Sequence, residues 1–292
     1  MSDPTFIGRE ALLGALSVAA GADALEAALH AGLDPDAGIQ RTAAPAGAGE
    51  LLIMPAADDS HVTVKVISIG GKPWVQGLAI VFDQASLAPV AVLDGSALTE
   101  LRTAAVSLLG ARLSGRGPFC RLVVFGSGPQ GAIHLEALRS EFAPDAVAVL
   151  RSSSSEAEVT EAVAGADLIC CATTSRQPLF DGSLVADQVL VIAIGSHEPD
   201  ARELDAELMR RSAIVVESQS SALAEAGELV MAAIGAEQLT TLAQLTEGAK
   251  LPQDRPVVFK STGMGWEDAV IASSLLRALR LAEASTTAPS QD

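Results

Sequence analysis

The sequence predicts an α/β chain, in which a doubly wound parallel sheet with helices on both faces follows a smaller α+β region. Three observations carry this. From residue 121 onward, continuous apolar runs alternate with helical stretches, the pattern of strands buried on both faces. A glycine turn, "FGSGPQG", joins the first of those runs to its helix. Between 50 and 94 the texture differs, with short β-rich runs broken by Gly, Pro and Asp, which reads as a separate small sheet.

Taken in order, residues 7–32 are rich in Ala and Leu and fit two short core-packing helices broken near Gly21. The runs "LLIMP", "VTVKVISI", "GLAIVFD" and "PVAVLDG" supply the small sheet. "DGSALTELRTAAVSLLGARLSG" reads as a helix, with Ser96 as N-cap and Gly115 near its end. After Gly117-Pro118 come the strands "RLVVF", "AVAVL", "DLICCAT", "VLVIAI", "AIVVE" and "PVVFK", with helices "QGAIHLEALRS" and "SEAEVTEAVAG" among the first of them. A last helix, from about Trp266 to Leu281, is expected to cross back onto the N-terminal region. Residues 283–292, ending "ASTTAPSQD", have a disordered composition.

A chain of 292 residues has room for two domains with cores of their own. A formal charge of −17 with no basic cluster argues against nucleic acid and anionic membranes as partners. Three cysteines, with Cys170 and Cys171 adjacent, make neither a disulfide framework nor a spaced metal box. His30, His61 and His134 lack metal-ligand spacing, and no metal is expected. The run "ALLGALSVAAGADALEAAL" is flanked by Asp3 and Glu10, where a signal peptide would carry positive charge. A cytoplasmic location is the resulting expectation. Trp74 and Trp266 are expected to pack, and Glu217 and Asp268 to serve structural hydrogen bonds.

The strand–turn–helix context turns a weak glycine motif into a dinucleotide-binding expectation. Gly126 allows the tight turn, Gly128 the close approach of backbone to pyrophosphate, and Gly131 the close packing of helix on strand. Pro129 opens the helix, where a missing N–H costs nothing. With Ser127 and Gln130 these residues form the expected phosphate-binding lip at the helix N-terminus, and the fold is of Rossmann type. After the second strand stands Arg151 with Ser152. There an acid would take the ribose 2′-hydroxyl and an Arg the 2′-phosphate, which favours NADP(H) over NAD(H).

Arg41, Lys65 and Arg102 form a second constellation. Alternation puts Lys65 on one face with Thr63, Ile67 and Ile69, an unusual face for a cation unless it meets an anion. Arg102 lies in an apolar helix.

"ELRTAAVSLLGARL", "FGSGPQGAIHLEAL", "IGSHEPDARELDAEL", "VVESQSSALAEAGEL" and "VFKSTGMGWEDAV" resemble, in order, the successive blocks of the ornithine cyclodeaminase and mu-crystallin family. The resemblance covers most of the chain from Arg41 onward. It implies a homodimer with a substrate-binding and dimerisation domain built from both chain ends (1–115 and 265–292) and an NAD(P)-binding Rossmann domain (116–264). It implies that Arg41, Lys65 and Arg102 bind a substrate carboxylate, the arginines through paired donors. Thr103 matches a position near the nicotinamide, "RS" at 151–152 resembles the Arg-Thr of NADP-binding members, and Thr173 joins the expected cofactor contacts.

Two departures bear on the reaction. Cyclodeaminases carry an Asp in the block matching "IGSHEP", where this chain has His197, and a Glu where it has Leu52. A diamine would lose anionic partners for its second charge. The expected activity is hydride transfer at the α-carbon of a small amino or imino acid, as in a ketimine or pyrroline-2-carboxylate reductase. Lys65 is the first candidate acid, and His197 a proton relay near neutrality. The family also offers ornithine cyclodeamination, with His197 replacing Asp, and a non-catalytic NADP(H)-dependent binding role of mu-crystallin type.

Overall fold

The computed structural model describes residues 3–47 and 49–287. The chain divides into two compact units, one of residues 1–28, 37–102 and 264–292 and the other of 29–36 and 103–263.

The first unit opens with β1 (Thr5–Ile7), α1 (Arg9–Ala15) and α2 (Val18–His30). The helices part at Leu16–Ser17, not near Gly21, because Ser17 Oγ accepts the Ala20 N–H at 3.1 Å and starts α2 afresh. Strands β2 (Thr42–Ala46), β3 (Gly49–Ala57), β4 (His61–Ile69), β5 (Val75–Asp83) and β6 (Pro89–Asp94) complete a six-stranded sheet in the order β1-β6-β5-β4-β3-β2. Only β1 pairs in parallel.

One face of this sheet is buried through Leu52, Met54, Thr63, Lys65, Ile67, Ala79, Val81, Ala91 and Leu93, and the chain's last helix packs on it over β3 and β4. Within the unit the opposite face stays half-open although it is apolar, with Ile53, Val64, Val66, Ile80 and Phe82 partly exposed and Leu78 46% exposed.

Helix α3 (Gly95–Leu113) follows. Its cap is Asp94, whose Oδ1 accepts the Ser96 and Ala97 N–H groups at 2.9 Å, while the expected cap Ser96 gives its hydroxyl to the Val75 carbonyl. The units divide inside this helix, between Arg102 and Thr103, rather than at the expected 115/116. Past Thr103 the helix packs within the second unit. Ser107 Oγ lies 2.9 Å from His134 Nε2, and a Cβ on Gly110 would meet the Phe259 ring at 2.8 Å. A helix buried almost all round shows no change of composition where its neighbours change.

The second unit runs β7 (Arg121–Phe125), α4 (Pro129–Phe142), β8 (Ala146–Leu150), α5 (Glu156–Ala164), β9 (Leu168–Cys171), β10 (Leu190–Ala193), α6 (Ala206–Arg211), β11 (Ala213–Val216), α7 (Gln219–Glu225), α8 (Gly227–Ala232), β12 (Leu239–Thr241), α9 (Leu242–Thr246) and β13 (Val257–Lys260). Helix α10 (Gly265–Thr287) returns to the first unit.

The seven strands are all parallel, in the order β12-β11-β13-β10-β9-β7-β8. The winding reverses at β7, which has β8 on one side and β9 on the other, the kind of switch point where such sheets bind ligands. Strands β9, β10 and β13 are buried at every residue, whereas the edge strand β8 exposes Val147 and Val149. Strands β1, β2 and β12 and helices α6 to α9 were not anticipated. All are three to seven residues long, too short for periodicity to register. Helix α10 continues to Thr287 through part of the stretch expected to be disordered, and 288–292 lie outside the described residues. Among the described residues no single helix is long and apolar enough to cross a membrane.

Candidate functional site

In the first unit the alternation of β4 sends Lys65 inward, where it is fully buried. It meets the start of α10. Lys65 Nζ lies 2.8 Å from each carboxylate oxygen of Asp268. Arg102, also buried, donates from Nη1 to Glu267 Oε2 at 2.8 Å, and its Nε is 3.6 Å from Asp268 Oδ1. Glu267 Oε1 accepts the Met264 N–H at 3.2 Å, so this residue also caps α10. Two acids in a first helical turn suit the helix dipole. The result is a buried quartet of two cations and two anions on the inner face of the sheet.

Burial pulls the Lys65 ammonium down to about 8, against the attraction of Asp268 and with the help of the nearby Arg102 charge. A lysine in that range exchanges protons near neutrality, as acid–base chemistry requires.

The structure thus brings Lys65 and Arg102 together, through Asp268. Arg41 is half-buried just before β2. Its neighbour Thr42 pairs with Ile53, next to Met54, the cross-strand partner of Lys65. Leu52 is buried on the face of Lys65.

In the second unit the glycine turn has the shape the sequence asked for. Gly126 has φ +107°, and a Cβ there would lie 2.4 Å from the Ala172 carbonyl oxygen. A Cβ on Gly131 would lie 2.1 Å from the Gly126 carbonyl, so helix and strand meet there without a side chain between. Gly128 faces open space with nothing within 4 Å of a Cβ, and it starts α4 without a side-chain cap. Ser127, Gly128 and Pro129 are exposed, and Gln130 is half-buried. These residues fit the pyrophosphate of a dinucleotide, which would take the place a side chain vacates and the donors a cap leaves over.

Arg151 follows β8 directly. Ser154 and Ser155 are spent locally, Ser154 on the Arg151 N–H and Ser155 on a capping box with Glu158. That leaves the side chains of Arg151 and Ser152 at the surface. Thr103 is buried in α3, the first residue of this unit after Arg102.

His197 is half-buried in the loop after β10. A buried polar network holds the two residues that precede it. Glu203, fully buried, accepts the Thr173 N–H (2.8 Å) and hydroxyl (2.7 Å) and the Gly195 N–H (2.8 Å). Burial raises its carboxyl above the ordinary value, against the pull of Lys260 and these donors. Lys260, also fully buried, donates to the Ser196 carbonyl at 2.7 Å and lies 3.1 Å from Glu228 Oε2, while Glu228 Oε1 accepts the Glu203 N–H. The Gly195 N–H and the Ser196 carbonyl, on two successive stretches of the loop, are thereby each held by a buried side chain. Glu217 accepts Ser261 Oγ, the structural role expected of it. The signal for this network was a charged residue ending an all-apolar strand, "VVFK".

The model of the ornithine cyclodeaminase/mu-crystallin family matches residues 14–279. The ketimine reductase mu-crystallin of Mus musculus is 34% identical over 278 residues, covering 85% of this chain and 88% of that protein. The crystal structure of a probable ornithine cyclodeaminase from Bordetella pertussis superposes with a TM-score of 0.87 at 29% identity, over 97% of this chain and 99% of the other. The Δ1-pyrroline-2-carboxylate reductase of Thermococcus litoralis, in complex with NADH and L-proline, gives a TM-score of 0.84 at 22% identity, covering 96% and 98%. At that identity the last similarity speaks for the fold.

Proposed function

The chain belongs to the ornithine cyclodeaminase/mu-crystallin family, and we propose that it is a nicotinamide-dependent reductase of small imino-acid carboxylates. The observation that carries this reading is the pairing of two buried cations, Arg102 and Lys65, the second of which burial brings down to about 8. Likeness to a ketimine reductase supports the reaction type.

When bound, the nicotinamide supplies a hydride to the imine carbon. As the C=N bond gives its electron pair to nitrogen, one proton is needed there. Lys65 holds that proton at Nζ, donates it, and regains one from solvent, so each turnover consumes one imine, one reduced cofactor and one proton. Arg102, with Arg41, clamps the substrate carboxylate through paired N–H donors. His197 relays protons from a loop that Glu203 and Lys260 hold still.

The glycine turn at Gly126–Gly131 and Thr173 hold the cofactor, with Thr103 near its nicotinamide. Arg151 and Ser152 take a 2′-phosphate, which makes NADPH the preferred form. The half-open apolar face of the first unit's sheet suits pairing with a second copy, and the free thiols Cys120, Cys170 and Cys171 suit the cytoplasm.

The test follows cofactor absorbance with purified protein, NADPH or NADH, and a panel of cyclic ketimine carboxylates and of pyruvate with amines. Ornithine is run alongside for ammonia release. Net oxidation of NADPH by a cyclic imino acid is expected. Proline and ammonia from ornithine without net cofactor change would replace the reading with a cyclodeaminase, in which His197 stands in for Asp. Arg151→Asp should weaken NADPH at least tenfold more than NADH, as loss of a charged hydrogen bond worth about 1.5–3 kcal/mol requires; equal losses would overturn the 2′-phosphate assignment.

A further inference from the structure

We propose that Asp268 is a positioning residue, which fixes the Lys65 ammonium where the substrate nitrogen takes its proton and ties it to Arg102, so that proton donor and carboxylate clamp share one geometry. The inference rests on the reductase reading and deepens it.

The geometry is specific. Asp268 is fully buried, its two oxygens straddle Lys65 Nζ at 2.8 Å each, and Oδ1 reaches within 3.6 Å of Arg102 Nε. Its neighbour Glu267 has another reason to be where it is, since it closes the start of α10 on the Met264 N–H. Glu267 also takes the Arg102 hydrogen bond at 2.8 Å, which leaves the Asp268 carboxylate to Lys65. A fold selecting for stability alone gains little from a buried ion pair, because desolvation offsets most of the attraction and an apolar pair of similar volume does as well. Such a pair earns its place by setting the position and charge of its partner.

Charge arithmetic sharpens this. Lys65 and Arg102 against Glu267 and Asp268 leave the quartet neutral, so the charge of an incoming carboxylate is left for Arg41 to balance. The charged groups facing Lys65 are Asp268 and Glu267 from α10 and Arg102 from α3. On its own strand His61 lies on the same face, turned to Ser273 Oγ at 2.8 Å.

The experiment uses the full chain, which has four lysines (65, 72, 250 and 260). Carbon-13 lysine NMR follows their titration in wild type, Asp268→Asn, Asp268→Glu and Glu267→Gln, and the Lys65 signal is identified by its loss in Lys65→Arg. The pH profile of kcat/KM is measured in parallel. In Asp268→Asn, Lys65 should titrate at least tenfold more readily in proton affinity, and the alkaline limb of kcat/KM should move to lower pH by the same amount. Asp268→Glu should restore most of the shift, and Glu267→Gln should move Lys65 less. A folded Asp268→Asn with Lys65 and the alkaline limb unmoved would overturn the proposal, leaving the reductase reading intact. Should Asp268→Asn not fold, a tenfold displacement of Lys65 by Glu267→Gln, with Lys65 and the alkaline limb unmoved in Asp268→Glu, would overturn it instead. If Lys65 shifts as expected but wild type reduces no imino acid, the reductase reading falls, and the proton's destination with it.

Discussion

Two lysines of this chain are fully buried, one in each unit, and they are buried differently. Lys65 sits mid-strand and meets side chains, straddled by Asp268. Lys260 ends β13 and meets the backbone, donating to the Ser196 carbonyl while Glu228 balances its charge. The first arrangement can change its protonation without moving the chain. The second ties a loop carbonyl to the end of its strand. Both ammoniums meet a carboxylate, but Lys260 also holds a backbone carbonyl and so acts as a strut, whereas Lys65 meets side chains alone.

Replacing each lysine by Met separates the two roles. Lys65→Met should cost the largest factor, lowering kcat/KM by about 10²-fold or more as a lost acid does, while cofactor affinity holds. Arg102 remains beside Asp268 to limit the loss of stability. Lys260→Met strands Glu228 and should destabilise the fold by about 3–5 kcal/mol, the cost of breaking a buried pair from one side. Urea unfolding measures it, and a larger loss of stability from Lys65→Met than from Lys260→Met would erase the distinction.

A smaller effect probes the open lip of the second unit. Gly128 has φ −76°, which an alanine adopts freely, and space for a methyl group. Gly128→Ala should therefore leave Tm unchanged and weaken cofactor binding about tenfold, on the order of 1.4 kcal/mol, measured by quenching or calorimetry. Unchanged affinity would remove the pyrophosphate from this turn.

The smallest effect lies on the Lys65 strand. Burial lowers the His61 imidazole below its ordinary 6.5, with Asp58 and Asp83 opposing and Arg277 and Arg280 assisting. The unfolded chain then binds a proton more readily than the folded one. This contribution to stability is complete above the ordinary value and is lost as pH falls through it. His61→Asn should flatten the acid side of the stability profile below the ordinary value of 6.5, and a profile unchanged by the substitution would show that His61 titrates alike in both states.

Much of this was legible from residue order alone. Continuous apolar runs specified the parallel strands, because strands buried on both faces admit no polar alternation. The glycine turn specified its own backbone, since each of Gly126 and Gly131 meets a carbonyl where any Cβ would collide. Alternation placed Lys65 on an inner face. What sequence could not supply was the partner of each buried charge. Asp268 lies 203 positions from Lys65, and Glu267 lies 165 from Arg102. Asp268 read as a structural acid, and Glu203, Glu228 and Lys260 passed unnoticed, because a local window carries no record of which distant charge will neutralise another. Local sterics and periodicity act over a few residues and leave their mark in the sequence. Coulombic pairing acts through space, and only the folded chain decided which charges would share the dry interior.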